Sequence, residues 1–303
     1  MTHKVLAVVG PTASGKSALG LQLAAQFSGA IISADSMQVY RQMDIGTAKP
    51  SLAEQRSVPH HLLDILGPEQ PYDAGRFVAD ADRAIEQVHQ SGLVPIVVGG
   101  THLYLKALIH GLIPTPDVDI ELKQRLYERL KLEGVAPLYQ ELCEVDPLTA
   151  QRLEPMDSSR VVRALSVWLS TGRSITDWHE EHEFKEQRYQ PFYIAVQWER
   201  EQLYQRINQR VEHMVQSGLV EETQGLLGRG YAGSLPSLNS IGYKQAVSHL
   251  NGEISHQMMV QQIQQSTRRY AKKQLTWIKQ LPDLHWVKPD ELDSIHPAIT
   301  AFL

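Results

Sequence analysis

The run G-P-T-A-S-G-K-S at residues 10–17 constrains the fold of this chain more than any other feature. It follows an apolar segment, Val5 to Val9, and leads into a helical pattern, Ala18 to Phe27. A G-x-x-x-x-G-K-S run between a strand and a helix is the phosphate-binding loop pattern. Its glycines let the backbone curl, so that successive N–H groups and the positive end of the helix face a polyphosphate. The pattern predicts a bound di- or triphosphate, and leaves open ATP, GTP or another pyrophosphate ester.

Two side chains of this loop carry chemistry of their own. Lys16 adds a mobile cation, and the Ser17 hydroxyl is a candidate ligand for Mg²⁺ that bridges the phosphates. The predicted phosphate site comprises Gly10, Pro11, Thr12, Ala13, Ser14, Gly15, Lys16 and Ser17.

Length and composition indicate an ordinary globular protein of about two domains, with 303 residues of which 42% are hydrophobic. The N-terminus does not fit a secretory signal, and no apolar run approaches the ~18 residues of a membrane span. We therefore expect a cytoplasmic protein. The single cysteine, Cys143, excludes an intramolecular disulfide, and no Cys/His set has zinc-site spacing.

Charge is segregated along the chain, although the net value is only −5. Residues 254–282 contain no Asp or Glu, and within them lie the basic residues Arg268, Arg269, Lys272, Lys273 and Lys279. Tyr270 and Trp277 interleave with these cations. Such a face suits a nucleic-acid backbone with exposed bases, and it equally suits a solvated helix surface.

Strands that alternate with helices predict an α/β fold with a P-loop NTPase-like parallel sheet core. Residues 30–34 form an apolar strand ending at Asp35, and residues 94–98 form another ending in Gly-Gly-Thr101. Ligands of such sheets collect at the carboxyl ends of the strands. We therefore expect the phosphate loop, Asp35 and Thr101 to converge on one crevice, although either residue could instead cap a helix.

The pattern between about Asp117 and Gln190 is wholly helical and highly charged, and predicts an inserted helical subdomain. Residues 192–198 return to strand character. The expected division is a first core part at 1–116, a helical insertion at 117–190 and a second core part at 191–303. Between the first strands, the His60-His61 pair is interpreted as loop hydrogen-bonding residues without a metal.

Arg206 and Arg210 lie one turn apart on a predicted helix, about Glu199 to Ser217, with no acidic residue three or four positions away from either. Two like charges so placed cost a few tenths of a kcal/mol unless an anion meets them. The pair is either solvated or in contact with the phosphate ligand.

Several further motifs occur in one order from residue 4 to 280: D-S-M-Q-V-Y at 35–40, G-T-A-K-P at 46–50, P-H-H-L-L-D at 59–64, V-G-G-T-H-L-Y at 98–104, N-S-I-G-Y-K at 239–244 and R-R-Y-A-K-K-Q-L-T-W at 268–277. Together with the phosphate loop they closely resemble the bacterial tRNA dimethylallyltransferase family. The set is far more specific than the loop alone.

The resemblance implies transfer of a dimethylallyl group from dimethylallyl diphosphate to N6 of adenosine 37, in tRNAs that read codons beginning with U. It implies Mg²⁺ as cofactor, the tRNA anticodon stem-loop as partner and a monomeric enzyme. The adenine amine is a poor nucleophile, so a base must take a proton as the bond forms. The departing diphosphate needs cations and N–H donors.

Carried over by residue, the resemblance assigns the diphosphate to Thr12–Ser17 and Arg210, the general base to Asp35, and positioning of the reacting groups to Thr101. The implied tRNA contacts are Asp35, Ser36, Met37, Gln38, Thr101, Lys123, Ser159, Arg160, Val161, Val162, Arg163, Asn239, Ser240, Ile241, Gly242, Tyr243, Lys244, Lys272, Lys273, Gln274, Leu275, Thr276, Trp277, Ile278 and Lys279. Residues 159–163 and Asn239 lie where family members vary in residue type.

Three other functions fit part of the pattern. A P-loop kinase of a small metabolite would also use an Asp after the second strand and a Gly-Gly after a later one. An adenylate isopentenyltransferase would prenylate a free nucleotide, and a nonenzymatic RNA-binding NTPase would leave Asp35 and Thr101 without a task. The helical insertion and the basic C-terminal helix favour tRNA over the first two.

Overall fold

The computed structural model describes residues 3–112, 119–182, 187–289 and 291–303. The chain forms two compact units, one of Met1–Ile109 with Arg188–Leu303 and one of His110–Gln187. The expected boundary between residues 116 and 117 lies outside the described residues. The return to the core begins at Arg188, slightly before the expected 191.

The first unit is built on one six-stranded sheet in which every described pairing is parallel. Its spatial order is β3-β2-β4-β1-β5-β6. The strands are β1 (His3–Val9), β2 (Gly29–Ala34), β3 (His60–His61), β4 (Val94–Gly99), β5 (Tyr189–Val196) and β6 (His285–Val287). The predicted parallel α/β core is confirmed.

Helices cover both faces of this sheet and extend beyond it. In chain order they are α1 (Lys16–Gln26), α2 (Leu52–Ser57), α3 (Ala74–Gln90) and α4 (His102–His110), and after the second unit α10 (Arg200–Gln216), α11 (Leu219–Gly228), α12 (Tyr243–Leu250), α13 (His256–Ile278) and α14 (His296–Phe302), the last preceded by a 3-10 turn at Leu292–Ile295. Of the helices in the described ranges, none is long and apolar enough to cross a bilayer.

Alternation along the strands divides the core between the two faces. In β1, Val5, Ala7 and Val9 pack with α3 and α4, whereas Leu6 and Val8 pack with α1 and α14. Successive side chains of a strand point to opposite faces, and both faces here are covered. The continuous apolar runs noted in the sequence are explained by this double burial.

A third apolar cluster joins α10, α11, α12 and α13 to the chain that follows β2. Val39, Tyr40 and Met43 from that chain pack against Leu219, Tyr243 and Ile263. The C-terminal helices are therefore anchored to the segment after Asp35, and they bring the N-S-I-G-Y-K and R-R-Y-A-K-K motifs to the same side of the first unit.

The second unit is wholly helical, with α5 (Ile120–Glu133), α6 (Val135–Val145), α7 (Pro147–Arg152), α8 (Ser158–Thr171) and α9 (Ile175–His182). Its core contains Leu126, Leu138, Leu142 and Leu165. Buried Asp146 accepts hydrogen bonds from the backbone N–H groups of Thr149 (3.0 Å) and Thr176 (3.2 Å) and from the Thr176 hydroxyl (2.7 Å). Because its acceptors are satisfied, a buried carboxylate is tolerated there.

Two strands at the sheet edges were not predicted. His60 and His61 form β3 instead of a loop, paired with Ile31 and Ile32 of β2, and the Nδ1 of His60 lies 2.8 Å from the carbonyl oxygen of Val58. Residues 285–287 form β6 beside β5. Both strands are too short for a residue pattern of period two to reveal them.

The 44–50 loop, which contains the G-T-A-K-P motif, is held by two charged side chains, the half-buried Glu222 and the buried Lys49. The Glu222 carboxylate accepts hydrogen bonds from the backbone N–H groups of Asp44 (2.9 Å), Ile45 (2.8 Å) and Gly46 (3.1 Å). The Lys49 ammonium, whose side chain is only 3% exposed, bonds the carboxylates of Asp44 and Asp64 and the carbonyl of Tyr40. Charge-assisted bonds of this kind make the loop a rigid wall.

The close approach of Gly46 to Tyr243 explains a glycine in this wall. The Tyr243 side chain is fully buried, and its hydroxyl donates a 2.5 Å hydrogen bond to Glu222. A Cβ on Gly46 would overlap atoms of the Tyr243 ring. Because the ring is packed on all sides, it has nowhere to move.

We expect Gly46→Ala to destabilise the chain by about 1–3 kcal/mol, because overpacking a full core forces shifts of ring or backbone. The measurement is the midpoint of urea or thermal unfolding. Gly225→Ala is the matched control: this glycine lies inside α11 with open space around its Cβ position, and alanine there should be neutral or stabilising by about 0.5–1 kcal/mol. Equal midpoints for the two variants would contradict the account of the wall.

Candidate active site

Three strand ends meet at one edge of the sheet. Val9 of β1 and Ala34 of β2 both pair with Gly99 of β4, and all three strands run in the same direction. The loops that follow them, beginning at Gly10, Asp35 and Gly100, therefore emerge side by side. This is the convergence predicted from the sequence.

The phosphate loop has the curled conformation that its glycines predict. Gly15 has φ 93°, in the left-handed region that favours glycine, and Ala13 has φ 64°. A Cβ on Gly10 would lie 2.5 Å from the Ser14 hydroxyl oxygen. Helix α1 begins at Lys16, so its positive end adjoins the loop.

Two cations face this loop. Burial lowers the pKa of Lys16 to about 8, and the charge of Arg210 acts in the same direction while Asp35 opposes it. Burial also lowers the pKa of Arg210, again opposed by Asp35. The Nη1 of Arg210 donates a 2.9 Å hydrogen bond to the Thr12 hydroxyl. Two desolvated positive groups close to one carboxylate create strong attraction for an anion.

A cavity of about 440 Å³ opens beside these groups. Its polar lining includes Thr12, Lys16, Ser17, Asp35 and Arg210. Apolar side chains complete the lining, among them Ile31, Met37, Val98, Val211, Met214, Ile241 and Ile263. The 44–50 loop forms part of the wall through its residues 46–50. A polar end next to an apolar chamber suits a ligand with a charged head and a hydrocarbon tail.

Asp35 directly follows the C-terminal end of β2 and is held there by the backbone of the residues that come after it. Its Oδ1 accepts hydrogen bonds from the N–H groups of Met37 (2.8 Å) and Gln38 (3.4 Å). These bonds fix the orientation of the carboxylate, which lines the cavity together with Lys16 and Arg210. The carboxylate is therefore placed to accept a proton from a group inside the cavity.

Thr101 reaches the site through Tyr270 of α13. Burial and the charge of Asp35 raise the pKa of Tyr270 to about 12, opposed by hydrogen bonds from the side chains of Thr101 and Gln274. Tyr270 lines the cavity. The aromatic residue that the sequence placed on a basic outer face thus links Asp35 to Thr101.

Gln274 ties α13 to two of the loops. Its Oε1 accepts a 2.8 Å hydrogen bond from the Thr12 N–H, and its Nε2 donates a 3.0 Å bond to the Gly100 carbonyl. The side chain is 3% exposed. Its amide joins the phosphate loop to the loop after β4, and its predicted role as a tRNA contact stays a prediction.

Two of the predicted tRNA segments do line the cavity. They are Asp35, Ser36, Met37 and Gln38 after β2, and Asn239, Ser240 and Ile241 before α12. Gln38 is partly committed inside the protein, since its Oε1 accepts a 2.9 Å bond from Ser33 and its Nε2 contacts the carbonyls of Thr47 (3.4 Å) and Ala48 (3.3 Å).

Several other residues that were predicted as tRNA contacts are buried. Val161 and Val162 lie in the core of the second unit, and Tyr243 and Ile278 lie in cores of the first unit. Trp277 is also buried, with its ring stacked on His102 at 4.9 Å between centroids. Gly242 is buried as well, with φ 101° at the start of α12. Their roles as tRNA contacts stay predictions.

The remaining predicted contacts are at least partly accessible. On α13, Lys272, Lys273, Thr276 and Lys279 are exposed and Leu275 is half-buried, and Lys244 is exposed on α12. On the second unit, Lys123 of α5 and Ser159, Arg160 and Arg163 of α8 are exposed. Arg160 forms an ion pair with Asp157 at 3.2 Å.

The cavity offers hard oxygen ligands of the kind that Mg²⁺ takes. The Ser17 hydroxyl and the Asp35 carboxylate are both in its lining. In the part of the chain that the structure describes, no cluster of three His, Cys, Asp or Glu side chains could hold a metal alone. This combination fits Mg²⁺, which binds through one or two protein oxygens together with substrate phosphates and water.

Several supporting residues escaped the sequence analysis. Glu222 and Lys49 hold the part of the cavity wall that the 44–50 loop forms, and the indole N–H of Trp198 bonds the phosphate loop. Tyr243 was predicted only as a tRNA contact, and its hydroxyl also bonds Glu222 in this wall. Arg206 was expected in solvent or on phosphate, but its Nε bonds the Ala13 carbonyl at 2.9 Å. The missing acidic partner near Arg206 was the one available signal, and it indicated an acceptor without saying which.

Comparison with known proteins agrees with this geometry. A sequence profile described as IPP transferase matches residues 38–281. The tRNA dimethylallyltransferase of Geobacter metallireducens is 45% identical over 300 residues, which are 99% of this chain and 97% of the relative.

Solved structures give the same result. The tRNA isopentenylpyrophosphate transferase of Bacillus halodurans matches with a TM-score of 0.73 and 35% identity, over 99% of this chain and 96% of that one. A eukaryotic dimethylallyltransferase acting on tRNA matches with a TM-score of 0.80 and 29% identity, over 95% of this chain and 74% of that one. The family resemblance inferred from the motifs is thereby confirmed: this chain belongs to the IPP transferase family.

Proposed function

We propose that this chain transfers a dimethylallyl group from dimethylallyl diphosphate to N6 of adenosine 37 in tRNAs reading UNN codons. The observation that carries this proposal is the cavity in which the phosphate loop, Lys16, Arg210 and Asp35 adjoin an apolar chamber. The enzyme is a tRNA dimethylallyltransferase, as are its relatives across nearly their whole length.

The donor binds by its charged end. The N–H groups of residues 12–17, the Lys16 ammonium and the Arg210 guanidinium meet the diphosphate, and their attraction grows as negative charge collects on the leaving group. The neighbouring apolar lining, including Met214 and Ile263, accommodates the hydrocarbon part and excludes water from the electron-poor allylic carbon.

The acceptor amine loses a proton to Asp35. A lone pair delocalised into the adenine ring makes N6 a poor nucleophile, so removing its proton as the bond forms lowers the barrier. Tyr270, which lines the cavity with Asp35, and Thr101, whose side chain neighbours Tyr270, position the reacting groups.

Mg²⁺ is part of this proposal. Ser17 is the residue that would hold it, and when bound it would supply positive charge to the diphosphate oxygens as the leaving group departs.

Recognition of tRNA is assigned to four surfaces: residues 35–38 and 239–241 around the cavity, the exposed cations of α12 and α13, and the exposed residues of α5 and α8. The anticodon loop is unpaired, so the target base can be splayed out of its stack into the cavity. Binding as a monomer and a cytoplasmic location remain predictions from the sequence.

The kinase and free-nucleotide alternatives explain less of the chain. A small-metabolite kinase has no use for an apolar chamber next to its phosphate loop, nor for the exposed Lys272, Lys273 and Lys279 of α13. Enzymes that prenylate free adenine nucleotides have no polynucleotide backbone to meet those cations.

Asp35→Asn should lower single-turnover prenyl transfer to tRNA by about 10²- to 10⁴-fold, because the amide keeps the oxygen that accepts the Met37 N–H but cannot take a proton. Donor and tRNA dissociation constants should change little. Quench-flow with labelled dimethylallyl diphosphate measures the rate.

Asp73→Asn is the matched control. The Oδ1 of Asp73 likewise accepts a backbone N–H, from Arg76 at 2.9 Å, but it caps α3 outside the cavity. Its rate should equal the wild-type rate. Full turnover by Asp35→Asn would remove Asp35 as the base.

Replacing Lys272 and Lys273 together by Ala should weaken tRNA binding and flatten its dependence on salt. If the two lysines contact phosphates, the slope of log K against log salt becomes less steep by about 0.7 to 0.9 for each of the one or two contacts that are lost. Fluorescence titration of tRNA at several salt concentrations gives the slope.

Arg83→Ala with Lys288→Ala provides a control of equal charge change. Both side chains are exposed and paired with nearby acids, Asp80 and Glu291, away from α13. Their double variant should keep the wild-type slope. An identical slope in the Lys272 and Lys273 variant would make that helix face a solvated surface only.

A further inference from the structure

Two side chains from outside the phosphate loop donate hydrogen bonds to its backbone carbonyls. The indole Nε1 of Trp198 donates a 2.7 Å hydrogen bond to the carbonyl of Ser14, and the Nε of Arg206 donates a 2.9 Å bond to the carbonyl of Ala13. Trp198 follows β5 and Arg206 lies on α10, so neither belongs to the loop itself. Two consecutive peptide groups of the loop are thus held by side chains from other parts of the chain.

The two donors support one another. The Arg206 guanidinium carbon lies 4.2 Å from the centroid of the Trp198 ring, within the range of a cation–π contact. Trp198 and Ala13 also pack against the small core of Leu203, Ile207 and Ala271. Ring, guanidinium and loop therefore form one unit whose parts cannot reorient separately.

The hydrogen bonds from Trp198 and Arg206 set the direction of the loop's N–H groups. In a trans peptide the C=O and N–H point to opposite sides, so a Ser14 carbonyl directed at Trp198 turns the Gly15 N–H the other way. The Ala13–Ser14 peptide is fixed at both ends, because the Ser14 N–H donates to Pro11 at 3.2 Å. These hydrogen bonds also offset the conformational cost of Ala13, whose φ of 64° lies in the left-handed region.

The two arginines of α10 have separate tasks. Arg210 lines the 440 Å³ cavity and bonds the Thr12 side chain. Arg206 uses its Nε on a backbone carbonyl, which keeps that negative dipole away from an incoming anion. We propose that Trp198 and Arg206 are positioning residues that hold the phosphate loop in its diphosphate-binding shape before the ligand arrives. This rests on the proposed binding of diphosphate at the loop.

The test uses the full chain and inorganic pyrophosphate with Mg²⁺ as probe, titrated by calorimetry. Trp198→Phe keeps an aromatic ring near Arg206 but removes the N–H donor together with part of the indole, and should weaken pyrophosphate binding about 5- to 10-fold. Arg206→Gln removes a charged donor and the cation–π contact, and should weaken it about 10- to 100-fold.

Controls use the same substitutions at neutral places. Trp286→Phe alters a partly exposed tryptophan of β6, and Arg200→Gln alters the first residue of α10, which contacts Tyr204. Both should bind pyrophosphate like the wild type. The Trp198 and Arg206 variants should also raise KM for dimethylallyl diphosphate while leaving KM for tRNA and the unfolding midpoint nearly unchanged. A general loss of structure would not produce this difference.

A double variant adds an independent check. Because the two side chains hold one unit, Trp198→Phe with Arg206→Gln should lose less than the product of the single effects. Unchanged pyrophosphate affinity in both single variants, with binding intact in the wild type, would overturn this inference alone. A wild-type chain that binds no pyrophosphate would instead overturn the proposed function.

Discussion

Parallel pairing of β1, β2 and β4 is the constraint on which the rest of the structure depends. It places the phosphate loop, Asp35 and the Gly100-Thr101 turn at one sheet edge, and the Gln274 amide then ties the first to the last. Helix α13 is therefore both a carrier of exposed lysines and a structural member of the catalytic cavity. An enzyme that couples a small diphosphate ester to a large RNA benefits from this arrangement, because one helix connects the RNA-facing surface to the reacting groups.

The cavity is asymmetric in charge and in polarity. Burial lowers the pKa of Lys16 and of Arg210, the charge of Arg210 lowers the pKa of Lys16 further, and Asp35 opposes these shifts. The diphosphate group of a bound ester would compensate the excess positive charge at the polar end of the cavity. The hydrocarbon part of the ester would then lie against the apolar side. The 44–50 loop, fixed by Glu222 and Lys49, bounds that chamber with backbone that is already hydrogen-bonded, so little ordering remains to be done when ligands bind.

The sequence predicted the α/β core, the phosphate loop and the meeting of Asp35 with that loop, because these depend on local patterns and on strand direction alone. It did not predict that Gln274 is buried, because motif position says nothing about which face of α13 packs against Gly100 and Thr12. The burial of Val161 and Val162 was missed for the same reason. β3 and β6 were missed because edge strands of two or three residues carry no period, and the grip of Trp198 and Arg206 joins parts of the chain nearly two hundred positions apart, which no local pattern can reveal.

The most direct test of the account is a transfer assay with labelled dimethylallyl diphosphate and Mg²⁺, run in parallel with unmodified tRNA, with AMP, and with ATP in place of the prenyl donor. The account predicts label in tRNA, located at adenosine 37 after nuclease digestion, none in AMP and no consumption of ATP. Label in AMP alone would make the chain a free-nucleotide prenyltransferase. Consumption of ATP without transfer of label would contradict the account altogether.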